Sequence, residues 1–172
     1  MLHYTPIKHK SQHKNMVTTL RIEELVNNQT HQDLINRINK VREYELEINV
    51  LQGFDIPTKN IIEFVQSHET AKCIRTIALD NAQSSGGYLF LLGQKRICHH
   101  RTQFLLHRHF DKETKKISPN LSDIELFHVI YFCKRTGMSL EKALKLMNEN
   151  NGKGRVLKAY EAKQVGMVHE IW

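Results

Sequence analysis

The sequence lacks any apolar run that approaches the roughly 20 residues of a membrane-spanning helix. Its first residues also lack the apolar core of a signal peptide. Cysteines are few, because only Cys73, Cys98 and Cys133 occur, all in apolar runs and without CxxC spacing. An odd number of such cysteines predicts buried, reduced thiols rather than a disulfide framework. Together these absences predict a soluble cytoplasmic protein with no membrane partner.

The charge of the chain is positive, with a formal net charge of +7. Such a charge would permit binding to nucleic acid or to an acidic surface. The densest basic runs are residues 8–14 and 112–116, and neither accompanies a helix-turn-helix, zinc-finger or RNA-recognition pattern. We therefore expect a solvated basic surface and no nucleic-acid partner. Residues 1–15 lack hydrophobic periodicity and are interpreted as a flexible basic arm.

The remaining residues, 16–172, are enough for one domain with its own core. Strand patterns alternate with helix signals along this part of the chain. The predicted strands are 17–25, 44–51, 73–79 and 96–109, the last being one strand or two with a kink at 99–101. This alternation predicts an α/β fold with a mainly parallel sheet and right-handed crossovers.

Helix starts and stops come from capping residues. Thr30 is predicted to cap the first helix and Pro57 to begin the second. A capping box of Ser122 and Glu125 predicts a later helix that Gly137 ends. Residues 80–83 are polar and follow the apolar strand 73–79, so they are predicted to form a turn before another helix.

A candidate nucleophile lies in residues 80–93, where a polar segment gives way to an apolar, helix-length one. Ser84 and Ser85 stand where this helix begins, near unpaired backbone N–H groups and the positive end of the helix dipole. Such a position can hold a nucleophile and stabilise an oxyanion. A helix N-cap is the alternative interpretation of Ser84 alone. The second polar candidate is His107, at the end of an apolar strand.

Three motifs occur in a familiar order: residues 80–93, residues 103–107 (Gln-Phe-Leu-Leu-His) and residues 159–169 (Ala-Tyr-Glu-Ala-Lys-Gln-Val-Gly-Met-Val-His). They resemble the nucleophile motif, the histidine strand and the C-terminal signature of the proteolytic subunit of the ATP-dependent Clp protease, within the Clp-protease/crotonase superfamily. The resemblance covers residues 17–172 and selects Ser84 over Ser85 as the nucleophile. It implies a Clp-protease/crotonase-like spiral of strand–helix units around the sheet.

The resemblance also implies roles for the backbone around these side chains. His107 would act as the base, and the N–H groups of Gly53 and Ser85 would hold the oxyanion. Of the family's Ser-Pro-Gly-Gly loop, only Gly53 is retained. The family's catalytic Asp aligns without gaps to Gly154, so the third member of the triad is open. The candidates are Asn151, Asn150, Asn148 and Glu149.

By this resemblance the chain is expected to be a serine endopeptidase that cleaves peptides or unfolded proteins and assembles into a homo-oligomeric ring through residues 122–137. The family's segment for engaging an ATPase chaperone is not recognisable in residues 1–15, so such a partner stays open. One alternative is a degenerate subunit that assembles or binds peptides. The other is a crotonase-like acyl-CoA enzyme. The positions of Ser84 and His107, which match the Clp-protease motifs, argue against this alternative.

No cofactor is expected, and neither is a metal. Four histidines, His99, His100, His107 and His109, suggest zinc by their proximity in the sequence. No carboxylate supports them at a suitable spacing, and the neighbouring Cys98 would point away from His99. Surface histidines in a His-rich chain are the favoured interpretation.

Overall fold

The structure is a computed structural model that describes residues 17–110 and 117–172. The predicted basic arm, residues 1–15, lies outside the described residues. The strands are β1 (Thr18–Val26), β2 (Glu43–Gly53), β3 (Lys72–Gln83), β4 (Lys95–Cys98), β5 (Gln103–Leu106), β6 (Arg155–Lys158) and β7 (Glu170–Ile171). The helices are α1 (Asn28–Ile38), α2 (Asp55–Ser67), α3 (Ser85–Phe90), α4 (Asp123–Thr136), α5 (Leu140–Asn148) and α6 (Ala159–Gln164).

The strands of the described residues form one mainly parallel sheet in the order β1-β2-β3-β4-β7. The long strand β3 pairs with β4 through its first half and with β5 through its second half, both in parallel. The short strand β6 pairs antiparallel with β5. The predicted α/β fold with a mainly parallel sheet is confirmed.

The chain between β4 and β5 leaves the sheet for a short turn, so residues 96–109 form two strands and not one. Thr102 fixes this break because its hydroxyl contacts the carbonyl oxygens of Ala78 and Leu79, each at 3.0 Å. The break lets β5 begin beside the second half of β3. This placement brings the end of β5 next to the end of β3.

The prediction of a polar turn at residues 80–83 is wrong, because β3 continues to Gln83. Asn81, Ala82 and Gln83 pair with β5, and the buried Ala82 between two less buried polar residues follows strand alternation. Strand β6 was not predicted from the sequence. Its four residues pair with all four residues of β5.

The predicted starts of the first two helices are also wrong, the first by three residues and the second by two. Asn27, not Thr30, caps α1, because its Oδ1 accepts the Thr30 N–H at 2.9 Å. Helix α2 begins at Asp55, before Pro57. The capping box of Ser122 and Glu125 is confirmed at the start of α4, and Gly137 ends that helix with a left-handed φ of 78°.

The core includes β2, β3 and the short helix α3, which packs against both strands. All six residues of α3 are buried, which is why this short helix is apolar after its first three residues. Tyr44, Leu46, Ile48 and Val50 of β2 are fully buried at alternate positions. None of the described helices is long and apolar enough to cross a membrane.

Candidate active site

Ser84 lies in the sharp turn between β3 and α3. Its φ of 51° and ψ of −121° are unusual for a residue with a side chain. Two backbone hydrogen bonds hold this conformation: the Ser84 N–H donates to Leu105 O at 2.7 Å, and the Ser84 carbonyl accepts from Gly87 N–H at 3.0 Å. The first of these bonds ties the turn to β5, the strand that leads to His107.

The hydroxyl of Ser84 and the imidazole of His107 meet, with 3.1 Å between Oγ and Nε2. The sheet explains the encounter, because Gln83 of β3 pairs with Leu105 of β5 in parallel. Both strands end at the same edge of the sheet. Ser84 is the first residue after Gln83, and His107 is the second residue after Leu105. The two side chains singled out from the sequence are therefore brought together.

The other ring nitrogen of His107, Nδ1, lies 2.7 Å from the carbonyl oxygen of Arg108. A carbonyl oxygen can only accept a hydrogen bond, so Nδ1 carries the proton in this contact. In the neutral ring Nε2 then has a lone pair and accepts from the Ser84 hydroxyl. This is the tautomer that a general base toward Ser84 requires.

The candidates for a third triad member are engaged elsewhere. Glu149 lies 3.8 Å from Arg155, the Asn150 amide donates to Gly154 O at 2.8 Å, and Asn148 Oδ1 accepts from Arg108 at 3.1 Å. Asn151 lies in the same turn, with a left-handed φ of 56°. No hydrogen bond among the described residues joins any of them to the His107 ring.

The position that aligns with the family's acid, Gly154, is closed to side chains. Its φ is 73°, and a Cβ there would collide with the carbonyl oxygen of Leu106 and come within 3.2 Å of a Leu105 methyl group. Glycine is required here by both conformation and space. The loop therefore passes against β5 without presenting an acid to His107 from this residue.

The two predicted oxyanion residues, Gly53 and Ser85, are in contact. Gly53 ends β2, and Ser85 begins α3 with 2% of its surface exposed. A Cβ on Gly53 would lie 2.6 Å from the Ser85 Cβ and 2.7 Å from the Val26 Cβ. Gly86 is similarly close to Val50, at 2.7 Å between the added Cβ and the Val50 Cβ. Small residues at these positions let α3 begin directly against β2, beside Ser84.

Sequence reasoning missed Arg108, which supplies the carbonyl for His107. Its side chain is buried and reaches Glu125 Oε1 at 2.9 Å, Asn148 Oδ1 at 3.1 Å and Ser118 O at 3.0 Å. The only signal was a charged residue next to a histidine at the end of an apolar strand. Burial raises the pKa of Glu125, but hydrogen bonds from the Ser122 and His109 N–H groups and from Arg108 outweigh it, so the pKa is lowered.

A surface pocket of about 640 Å³ opens beside Gly53. Its walls are the start of α1 and the start of α2, residues 27–29 and 53–57. Phe54 and Ile56 are 44% and 63% exposed there, so part of the wall is apolar and accessible. The pocket therefore borders Gly53, one of the two predicted oxyanion residues.

No protein-family model and no curated protein matches the sequence. Solved structures do match the fold, and ClpP structures are among them. One is the ClpP protease catalytic domain from Plasmodium falciparum, with a TM-score of 0.74 and 17% identity over 90% of this chain and 84% of that chain. Another is a ClpP1 mutant from Listeria monocytogenes, with a TM-score of 0.74 and 18% identity over 90% of each chain. The chain has the ClpP-like form of the Clp-protease/crotonase fold.

Proposed function

We propose that the chain is a Clp-type serine peptidase subunit that cleaves peptide bonds through an acyl-enzyme on Ser84. The observation that carries the proposal is the 3.1 Å contact between Ser84 Oγ and His107 Nε2. It occurs at a strained strand-to-helix turn in a fold of the ClpP type. A serine that only capped α3 would not need a histidine on its hydroxyl, and no capping bond is made by its side chain.

In the proposed reaction Ser84 Oγ attacks the peptide carbonyl carbon while His107 Nε2 takes the hydroxyl proton. The N–H groups of Gly53 and Ser85 stabilise the resulting oxyanion. His107 then gives its proton to the leaving amine, and the C–N bond breaks to leave an acyl ester on Ser84. Water, deprotonated by His107, hydrolyses the ester and regenerates the serine.

The partner of His107 Nδ1 sets an upper limit on the rate. The Arg108 carbonyl fixes the tautomer and the orientation of the ring, as an acid would. It carries no full negative charge to stabilise the imidazolium that forms in the transition state. In a Ser-His-Asp triad a wrong tautomer lowers the reaction rate by about 10⁴-fold. The Arg108 carbonyl avoids that loss of rate but does not supply the negative charge of an Asp. We expect measurable but slow hydrolysis.

A fluorophosphonate probe tests the proposal, because it reacts covalently with an activated serine. The wild type is expected to be labelled at Ser84, whereas Ser84→Ala is not and His107→Gln is labelled far more slowly. Ser85→Ala is the matched control, since it removes the adjacent hydroxyl and keeps the backbone N–H. Labelling that survives Ser84→Ala, or that maps to Ser85, contradicts the proposed nucleophile.

A degenerate subunit that assembles or binds peptides is the second candidate. It is favoured by one observation, that no carboxylate of the described residues contacts the His107 ring. This candidate predicts no labelling of the wild type together with retained peptide binding. A crotonase-like enzyme would instead hydrolyse an acyl-CoA without reacting with the probe.

Either candidate is proposed to assemble into a homo-oligomeric ring through residues 122–137. Leu126 and Ile130, one turn apart on α4, are 38% and 53% exposed. Apolar residues spaced in this way form a stripe that suits helix packing. Light scattering after chromatography should show an oligomer for the wild type and smaller particles for Leu126→Glu/Ile130→Glu. The substrate is proposed to be peptide or unfolded protein, and an ATPase chaperone partner stays an open proposal.

A further inference from the structure

The imidazole of His128, on α4, is buried and has no hydrogen-bond partner among residues 17–110 and 117–172. The residue is 1% exposed, and neither Nδ1 nor Nε2 is paired within these ranges. Its ring is stacked on Tyr88 with 4.5 Å between centroids. This stacking covers a face of the imidazole, whereas its two nitrogens lie at the ring edge and gain no hydrogen bond from it. Buried polar atoms are almost always paired, so two ring nitrogens left unpaired by the described part of the chain point to a bound ligand.

Two potential metal ligands stand next to these nitrogens. The His109 ring lies edge-on to His128 with 5.8 Å between centroids. His109 Nε2 is also 3.1 Å from Asp55 Oδ1. One ligand atom from each of the three residues lies within 4.8 Å of the other two. The three side chains come from separate elements: the start of α2, the segment after β5, and α4.

We propose that Asp55, His109 and His128 form a zinc site. Two imidazole nitrogens and one carboxylate oxygen form a donor set that zinc accepts at about 2.0–2.2 Å, with a fourth position left for water. These ligand atoms, which lie within 4.8 Å of one another, would need only side-chain rotations to surround an ion at such distances. Bonding to the metal would use a lone pair of His128 that no described residue engages.

The charges around the three residues suit a divalent cation. Burial lowers the pKa of His109, and it lowers that of His128 to about 3, which favours the neutral form of each ring. Asp55 supplies a negative charge. Lys59, the nearest cation on α2 to influence His128, has its charge paired with Glu63 at 2.5 Å.

The site is separate from the Ser84 and His107 pair but is linked to it by the backbone. His109 is two residues after His107, and the residue between them, Arg108, provides the carbonyl that orients the His107 ring. Zinc on His109 would fasten this segment to α2 and α4. Its role would be structural: it would hold the chain that carries the base and take no part in the proton transfer.

Zinc titration by calorimetry tests the proposal on the full chain. Because His3, His9 and His13 could bind zinc on their own, the background protein carries all three as glutamine. We expect one zinc per chain and a rise in the melting temperature on zinc addition. His109→Gln, Asp55→Asn and His128→Phe should each weaken binding by at least about 10-fold and remove the thermal shift. His128→Phe keeps an aromatic ring over Tyr88 and removes both nitrogens.

His100→Gln is the matched control, since His100 is exposed and belongs to the other histidine cluster. It should bind zinc like the background protein. Unchanged affinity in His109→Gln and Asp55→Asn overturns the proposal, and so does an equal loss in His100→Gln. These two variants decide the question even if His128→Phe fails to fold, because the backbone N–H of His109 keeps its bond to Glu125 in both. Loss of the hydroxyl in Ser84→Ala should leave zinc binding intact, so this test does not depend on peptidase activity.

Discussion

Arg108 and Glu125 form a buried ion pair, with 2.9 Å between Nε and Oε1 and side chains that are 7% and 5% exposed. The same carboxylate oxygen accepts the backbone N–H of His109 at 2.8 Å. Glu125 thus binds the side chain of Arg108 and the backbone N–H of the following residue, His109. Since the Arg108 carbonyl accepts from His107 Nδ1, this pair positions the base without touching a substrate.

We expect Arg108→Met to destabilise the protein by about 3–5 kcal/mol, because it leaves the Glu125 charge buried and unpaired. Urea denaturation measures the change. The rate of fluorophosphonate labelling should also fall, since the segment after β5 loses its anchor. Arg155→Met is the matched control: Arg155 is half exposed, 3.8 Å from Glu149, and should cost at most about 1 kcal/mol. Equal losses in the two variants would contradict the anchoring role.

The sequence predicted the Ser84 and His107 contact because each residue interrupts an apolar segment that belongs to a recognisable motif. It could not predict the Arg108 carbonyl as the acceptor for His107, since any residue has a carbonyl and the sequence does not show where it points. The Asp55, His109 and His128 cluster was missed for a related reason. Its members are up to 73 positions apart, and only the packing of α2, α4 and the end of β5 joins them.

The fold followed from strand–helix alternation, but details that depend on pairing did not. Residues 80–83 are polar enough to suggest a turn, yet pairing with both β2 and β5 keeps them extended. β6 is too short to be recognised without its partner β5. Both misjudged segments lie beside the candidate active site, where tertiary contacts override local preference.

Gly53 should not tolerate a side chain. In Gly53→Ala the new methyl group would press on Ser85 and Val26, so α3 has to move away from β2. We expect at least about a 10²-fold loss in labelling rate, the scale of losing one oxyanion donor. Gly137→Ala controls for the substitution itself, because no atom lies within 4 Å of its added Cβ and only the left-handed φ of 78° is strained. Its labelling rate should match that of the wild type.

Restoring an acid by Gly154→Asp should fail. The family alignment points to this position, but its φ of 73° and its contact with the Leu106 carbonyl exclude a Cβ. We expect a less stable protein with no gain in labelling rate or peptide hydrolysis, as measured by urea denaturation and by kinetics with a fluorogenic peptide. Faster hydrolysis in this variant would show that the loop can rearrange to bring a carboxylate to His107.

The backbone of Ser84 should carry strain that glycine relieves. A residue with a side chain at φ 51° and ψ −121° costs about 1–3 kcal/mol, whereas glycine adopts this conformation freely. Ser84→Gly and Ser84→Ala both lose the bond to His107, so the comparison between them isolates the backbone. We expect Ser84→Gly to be more stable than Ser84→Ala by about 1 kcal/mol in urea denaturation, although neither is labelled. Equal stability would mean that the turn is relaxed with a side chain present. A gain for glycine would mean that the chain gives up stability to place a hydroxyl on His107, which a serine serving only as a helix cap would not require.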